Sequence, residues 1–236
     1  MTGLFRPAGG ALHWVVVIPV KGTAAAKSRL GGDPRRRNEL ARAIALDTVT
    51  AALDTSTVEH VVVVTSAQAA PTFADLDVQV VVETGMQRGT GAGAAPSDPL
   101  NSALRQALAV VGADPRWQRH GTAILLGDVP GVLPGELAGA LALASRQTSA
   151  MVPDADNNGT VLTTISPGGI HRPHFGPDSA RAHRAAGYLP LDIPAGSGLR
   201  QDVDTPEQLE ALKRHGIGAH TLSSIGRPGD RVGTGP

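Results

Sequence analysis

Residues 14–30 read WVVVIPVKGTAAAKSRL, and the fold follows from how this run is built. Val15, Val16, Val17 and Ile18 make an unbroken β-branched stretch closed by Pro19. A strand with one wet face alternates polar and apolar residues. An unbroken apolar strand is buried on both faces, as inside a parallel sheet covered by helices. Lys21, Lys27 and Arg29 then fall within nine residues, separated by Gly22 and other small side chains. A loop leaving the carboxyl end of a buried strand lies where open α/β sheets take their ligands. Small residues let backbone N–H groups approach a phosphate chain while the cations neutralise it. Taken alone, the stretch is explained equally well as a solvated basic loop.

Working outward, similar runs recur. HVVVVTS at 60–66, VQVVVE at 78–83 and TAILL at 122–126 read as strands, with shorter ones at 150–153 and 160–165. Residues 34–54 carry Leu40, Ile44 and Thr48 at helical spacing. A second helix is expected over 99–111, with Asp98 as cap and Pro99 at its first position. Further helices are expected at 134–145, 178–186 and, behind Thr205, 206–214. Residues 189–193 and 202–204 read as extended, and 220–225 as a last strand. Strands alternating with helices imply βαβ units in an α/β fold: a mostly parallel sheet flanked by helices. The expectation is one domain over 12–225, with flexible tails at 1–11 and 226–236.

Composition narrows the functions. The chain has 236 residues, ample for a sizeable core, and a formal net charge of zero. No global field therefore recruits nucleic acid or an anionic membrane, and anion binding must come from local clusters. Cysteine is absent, which excludes disulfides, thiolate metal sites and a Cys nucleophile. No apolar run reaches the roughly 18 residues of a membrane span, and a cytoplasmic protein is expected. The loop Gly89-Thr90-Gly91-Ala92-Gly93 neither follows the first strand tightly nor opens a helix, so it is not read as a dinucleotide fingerprint.

Acidic residues mark a second focus. Asp128 follows a buried strand that Pro130 prevents from continuing. In QDVDTPEQ, Asp202 and Asp204 are two apart in an extended segment, so both carboxylates are expected on one face, opposite Val203. Such a pair needs a partner or cation to stay ionised, and Mg²⁺ suits it, taking one or two carboxylates plus substrate phosphate oxygens. The bland reading makes Asp204 a cap neighbour and leaves Asp202 solvated. Asn101 either offers its amide to a sugar hydroxyl or base edge, or is a first-turn polar residue. In DADNNGTVLTTISPGGIHRPHFGPDSARAH, at 154–183, Gly159-Thr160 supplies a backbone amide and a hydroxyl, and Gly176 and Ser179 stand just before or in a helix start whose N–H groups would hold a small phosphorylated acid. An ordinary capped Gly-Pro turn explains that segment as well. His171, His174 and His183 lack the carboxylate or thiol that would complete a zinc site.

IPVKGTAAAKSRL, LLGDVPG, the NNGT…HFGPDSARAH stretch and QDVDTPEQL, in this order, resemble the CofC/FbiD family of guanylyltransferases of coenzyme F420 biosynthesis, over roughly 14–225. The resemblance implies a GT-A-like nucleotidyltransferase fold. It also implies GMP transfer from GTP to a three-carbon phosphorylated acid, with release of pyrophosphate. Phosphoenolpyruvate is the favoured acceptor over 2-phospho-L-lactate and 3-phosphoglycerate, and a downstream transferase of the same pathway would take the product. Another GT-A-like nucleotidyl- or glycosyltransferase is the alternative. By the same resemblance, Lys21, Lys27 and Arg29 meet the GTP phosphates. Asp128, Asp202 and Asp204 hold Mg²⁺, Thr160, Gly176 and Ser179 cradle the acceptor, and Asn101 lies near guanine and ribose. The family's GTGT appears here as Gly159-Thr160-Val161-Leu162-Thr163, which leaves open whether Thr160 or Thr163 faces the acceptor.

Overall fold

The computed structural model describes residues 11–21, 33–84, 98–214 and 216–226. Its centre is a seven-stranded sheet. The strands are β1 (Trp14–Val20), β2 (Val58–Thr65), β3 (Gln79–Val82), β4 (Gly121–Leu125), β5 (Ser149–Pro153), β6 (Thr160–Ile165) and β7 (Leu189–Pro190), in the order β3-β2-β1-β4-β6-β5-β7. β1 pairs in parallel with β2 and β4, and only β6 runs against its neighbours. The expected mixed, mostly parallel sheet is what forms.

β1 shows why its sequence is unbroken. Trp14, Val16 and Ile18 pack into the core under α1 (Pro34–Leu53) and α3 (Pro134–Ala144). Val15 and Val17 face the opposite way, into the core under α2 (Pro99–Ala113). All five are essentially inaccessible to solvent. Local chemistry sets the helix starts. Asp33 accepts from the N–H groups of Arg35 and Arg36 ahead of α1, and Asp98 accepts from that of Asn101 ahead of α2, each with Pro at the first position. α4 covers Ser179–Ala185. Thr205 and Gln208 form a reciprocal capping box for α5 (Pro206–Lys213). No helix among the described residues is long and apolar enough to cross a membrane.

One element departs from expectation. Residues 220–225, read as a strand, lie within α6 (Ala219–Gly226). The cause is long-range: the buried carboxylate of Asp47 on α1 accepts from the N–H groups of His220 (2.9 Å) and Thr221 (2.8 Å). Satisfying two first-turn donors overrides the weak β pattern of HTLSSI. Gly218 permits the approach, since a Cβ there would stand 2.1 Å from the Asp47 carboxyl carbon. Asp47→Ala should cost about 2 kcal/mol and raise hydrogen exchange across 219–226. Unchanged exchange there would show that Asp47 does not hold α6.

Candidate active site

β1 and β4 lie side by side and parallel, with later strands placed outward on either flank. Their carboxyl ends are thus the switch point at which an open α/β sheet forms its crevice. A cleft opens there, with Lys21 from the end of β1, Asp128 from the turn after β4, and Asp204 among its walls. Gly127 lets the two strand ends meet: a Cβ at this position would lie 2.7 Å from the Pro19 carbonyl oxygen.

Asp204 arrives from a distant segment, and its placement is built in steps. The Glu136 carboxylate at the head of α3 accepts from the Leu133 and Gly198 N–H groups, each at 3.1 Å. A Cβ on Gly198 would sit 1.9 Å from the Gly131 carbonyl oxygen, so only glycine fits this contact. The short turn Gly198–Arg200 follows. Val203 then donates its N–H to the Asp128 carbonyl at 2.9 Å and buries its side chain with Ile44, Leu209 and Leu212. Gln208 accepts from the Asp204 and Thr205 N–H groups, fixing the far end.

Of the acidic triad expected from sequence, Asp128 and Asp204 line the cleft and Asp202 does not. Among the described residues, no three His, Cys, Asp or Glu side chains are grouped closely enough to hold a metal ion. The same-face argument for Asp202 and Asp204 assumed a pleated strand. Residues 201–204 belong to no strand, yet Val203 is buried between two partly exposed aspartates, the alternation expected of an extended segment. Lys27, Arg29 and the 89–93 glycine loop lie outside the described residues.

The residues expected to form the second pocket come from three segments. Thr160 opens β6, and its buried Oγ1 lies 3.0 Å from His183 Nδ1. The Ala180 N–H donates to the Asn158 carbonyl, and the Ser179 N–H to that of Gly176. Thr160, Gly176 and Ser179 are therefore neighbours. The expectation of open N–H groups at the start of α4 is corrected, because Ser179, Ala180 and Arg181 already donate to Gly176, Asn158 and Asp178. Thr163 lies deeper in β6, opposite Ile124 and Met151, with its buried Oγ1 outside any hydrogen bond among the described residues. Of the two threonines, Thr160 is the one in contact with α4, through His183.

Asn101, expected near guanine and ribose, has protein partners for its amide. It is buried, and its amide pairs with both backbone groups of Phe175: Nδ2 donates to the carbonyl at 2.8 Å and Oδ1 accepts the N–H at 2.9 Å. A second Nδ2 proton goes to Asp98. Both Nδ2 protons are thereby engaged, and Oδ1 takes one backbone proton.

Sequence reasoning passed over the residues that shape these turns. Arg200 is buried and donates to the carbonyls of Pro153, Asp154 and Ile193 and to Asn157 Oδ1. Asp154 in turn accepts from the N–H groups of Asn158 (2.9 Å) and Gly159 (2.6 Å), closing the turn before Thr160. Arg200 thus joins this turn to the segment that carries Asp204. Burial holds the His171 and His183 imidazoles at a pKa of about 4, so both rings are neutral at neutral pH. Burial also raises the Tyr188 phenol. A polar residue inside an apolar frame was the available signal, but its partners lie far away in sequence.

No family model matches the chain. It is 39% identical to the phosphoenolpyruvate guanylyltransferase of Sanguibacter keddieii over 91% of this chain and 84% of that protein. It is 41% identical to the phosphoenolpyruvate guanylyltransferase of Salinispora arenicola, over 93% of this chain and 97% of that one. Among solved structures, Rv0371c of Mycobacterium tuberculosis in complex with manganese matches at a TM-score of 0.53 and 20% identity, over 85% of this chain and 97% of that one. A 4-diphosphocytidyl-2C-methyl-D-erythritol synthase matches at 0.52 and 13%, over 86% and 99%. These structural likenesses concern the fold, a nucleotidyltransferase fold.

Proposed function

The chain belongs to the phosphoenolpyruvate guanylyltransferase family, and on that premise we infer that it transfers GMP from GTP to phosphoenolpyruvate, releasing pyrophosphate. The phosphate oxygen of phosphoenolpyruvate attacks the α-phosphorus of GTP. The bond from that phosphorus to the bridging oxygen of the β-phosphate breaks, and pyrophosphate leaves in line. No covalent enzyme intermediate is needed, so catalysis rests on positioning and charge neutralisation.

The observation that carries this reading is the convergence of Lys21, Asp128 and Asp204 on one cleft at the switch point. Two carboxylates completed by phosphate oxygens are the donor set that Mg²⁺ prefers, so Asp128 and Asp204 would hold the ion. When bound, Mg²⁺ supplies neutralisation of the charge that develops on the phosphates. The manganese complex of a protein with this fold supports the use of a divalent ion. Lys21 faces the same space and is assigned to the GTP phosphates, with Lys27 and Arg29 proposed beside it. Thr160, Gly176 and Ser179 are assigned to the acceptor. The proposed setting is coenzyme F420 biosynthesis in the cytoplasm, where a second transferase consumes the product.

Mass spectrometry after incubation with GTP and Mg²⁺ should show a guanylylated product with phosphoenolpyruvate. Product should be far scarcer with 2-phospho-L-lactate or 3-phosphoglycerate. Product from either of those acids in preference to phosphoenolpyruvate would overturn the acceptor assignment, and a product from another nucleotide would overturn the donor.

A further inference from the structure

Residues 171–175 form a strap that belongs to no helix or strand. Backbone donors in such a segment must be satisfied by something other than a ladder. The Arg172 N–H donates to the Tyr188 hydroxyl at 2.9 Å. Pro173 has none to give. The His174 N–H donates to His183 Nε2 at 3.0 Å, and the Phe175 N–H to Asn101 Oδ1 at 2.9 Å. Every N–H from 172 to 175 therefore ends on a buried or largely buried side chain from another part of the fold. The Phe175 carbonyl is held as well, by Asn101 Nδ2. The next residue is Gly176, at φ +134°, a conformation glycine alone adopts readily.

These contacts also settle the state of His183. Its Nε2 accepts a backbone proton, so the ring proton resides on Nδ1, which meets the Ser179 backbone carbonyl and lies 3.0 Å from Thr160 Oγ1. One neutral imidazole thus ties the strap at His174 to the start of β6. Phe175 and Tyr188 pack edge-on against it, at 4.9 and 5.3 Å between ring centres.

We propose that Asn101 and His183 are positioning residues for the acceptor, forming a two-sided clamp on the His174–Phe175 backbone that sets Gly176, Ser179 and Thr160 in register. The proposal rests on the assignment of those three residues to phosphoenolpyruvate. Asn101 grips the strap from α2 and His183 from α4, and neither touches the reacting atoms. Loosening either side lets the acceptor cradle drift, while Lys21, Asp128 and Asp204 reach their cleft from other segments, Leu100 being α2's share of its wall.

Steady-state kinetics of Asn101→Ala, His183→Phe and His183→Gln test this. Asn101→Ala and His183→Phe should each raise KM for phosphoenolpyruvate about tenfold, with KM for GTP within about twofold of wild type. His183→Gln keeps an amide oxygen for the His174 N–H and should restore most of the affinity, so the proposal remains testable if the Phe variant does not fold. Nitrogen NMR of the wild-type ring should show a protonated Nδ1 on His183. A rise in KM for GTP in Asn101→Ala would assign Asn101 to the nucleotide and overturn the clamp. Unchanged KM for phosphoenolpyruvate, or equal losses in every constant, would overturn it too. If wild type makes no product from GTP and phosphoenolpyruvate, the reaction assigned above fails first and the acceptor role goes with it. A failure confined to the variants removes the clamp alone.

Discussion

Asp204→Asn and Asp128→Asn should each lower kcat about a thousandfold, whereas Asp202→Asn should stay within about tenfold of wild type. The ordering follows from the cleft. Asp128 and Asp204 share its wall with Lys21, and Asp202 does not line it. Two anionic reactants have to be brought together, and each carboxylate helps hold the charge that makes this possible. A thousandfold loss corresponds to about 4 kcal/mol, the scale expected when a group acting on developing phosphate charge is removed. Asn is nearly isosteric with Asp, so the Val203–Asp128 backbone bond and the apolar packing of Val203 should survive. Thermal unfolding should therefore change little, and Mn²⁺ binding followed by electron paramagnetic resonance should weaken in the two cleft variants. Either variant retaining more than a tenth of wild-type kcat would sink the metal assignment. A collapse of Asp202→Asn equal to the other two would restore the three-carboxylate site expected from sequence.

That contrast shows where a sequence can be read and where it stops. The unbroken run 15–18 announces a strand buried on both faces because burial is a property of the strand itself, and β1 has that environment. The starts of α1, α2 and α5 are equally local, since Asp33, Asp98 and Thr205 meet donors two or three residues on. The end of β4 placed Asp128 at the crevice for the same reason. Asp202 is less legible, because alternation is enforced by a ladder and residues 201–204 belong to none.

Long-range partners are invisible in the same way. The first-turn position of Asn101 is legible, but its bond to Phe175 spans 74 positions. Asp47 reaches 173 positions to cap α6, which turned an expected strand into a helix. His183 and Arg200 look like ordinary helix and loop residues until the fold buries them among the carbonyls and N–H groups they serve. The positions that shape the cleft and the turn before Thr160 are thus less legible than those that shape the sheet, because their chemistry is decided by contacts between segments.

Acidification should destabilise the protein well above the range in which carboxylates protonate. His171 and His183 both have folded-state pKa values of about 4, lowered chiefly by burial. Their unfolded value is about 6.5. Between these limits the unfolded chain binds more protons than the folded one, so stability rises with pH across the window. The contribution is complete above about pH 6.5, falls as the pH drops towards 4, and levels off below. Two rings lose about 4 kcal/mol between pH 7.5 and 5 at full effect, and about 3 kcal/mol once the half-buried position of His171 is discounted. The bonds explain why the rings resist protonation. His171 Nε2 donates to the Thr122 carbonyl at 2.8 Å, leaving Nδ1 to face the Tyr188 hydroxyl, and His183 Nε2 accepts from His174. A second proton on either ring would replace an acceptor with a donor inside an apolar frame. Urea unfolding at pH 7.5, 6 and 5 should show the midpoint falling steadily, and His183→Gln should flatten that slope by about half. A midpoint that holds constant down to pH 5 would mean that these histidines are charged in the folded state, and the hydrogen-bond pattern that anchors the acceptor strap would have to be redrawn.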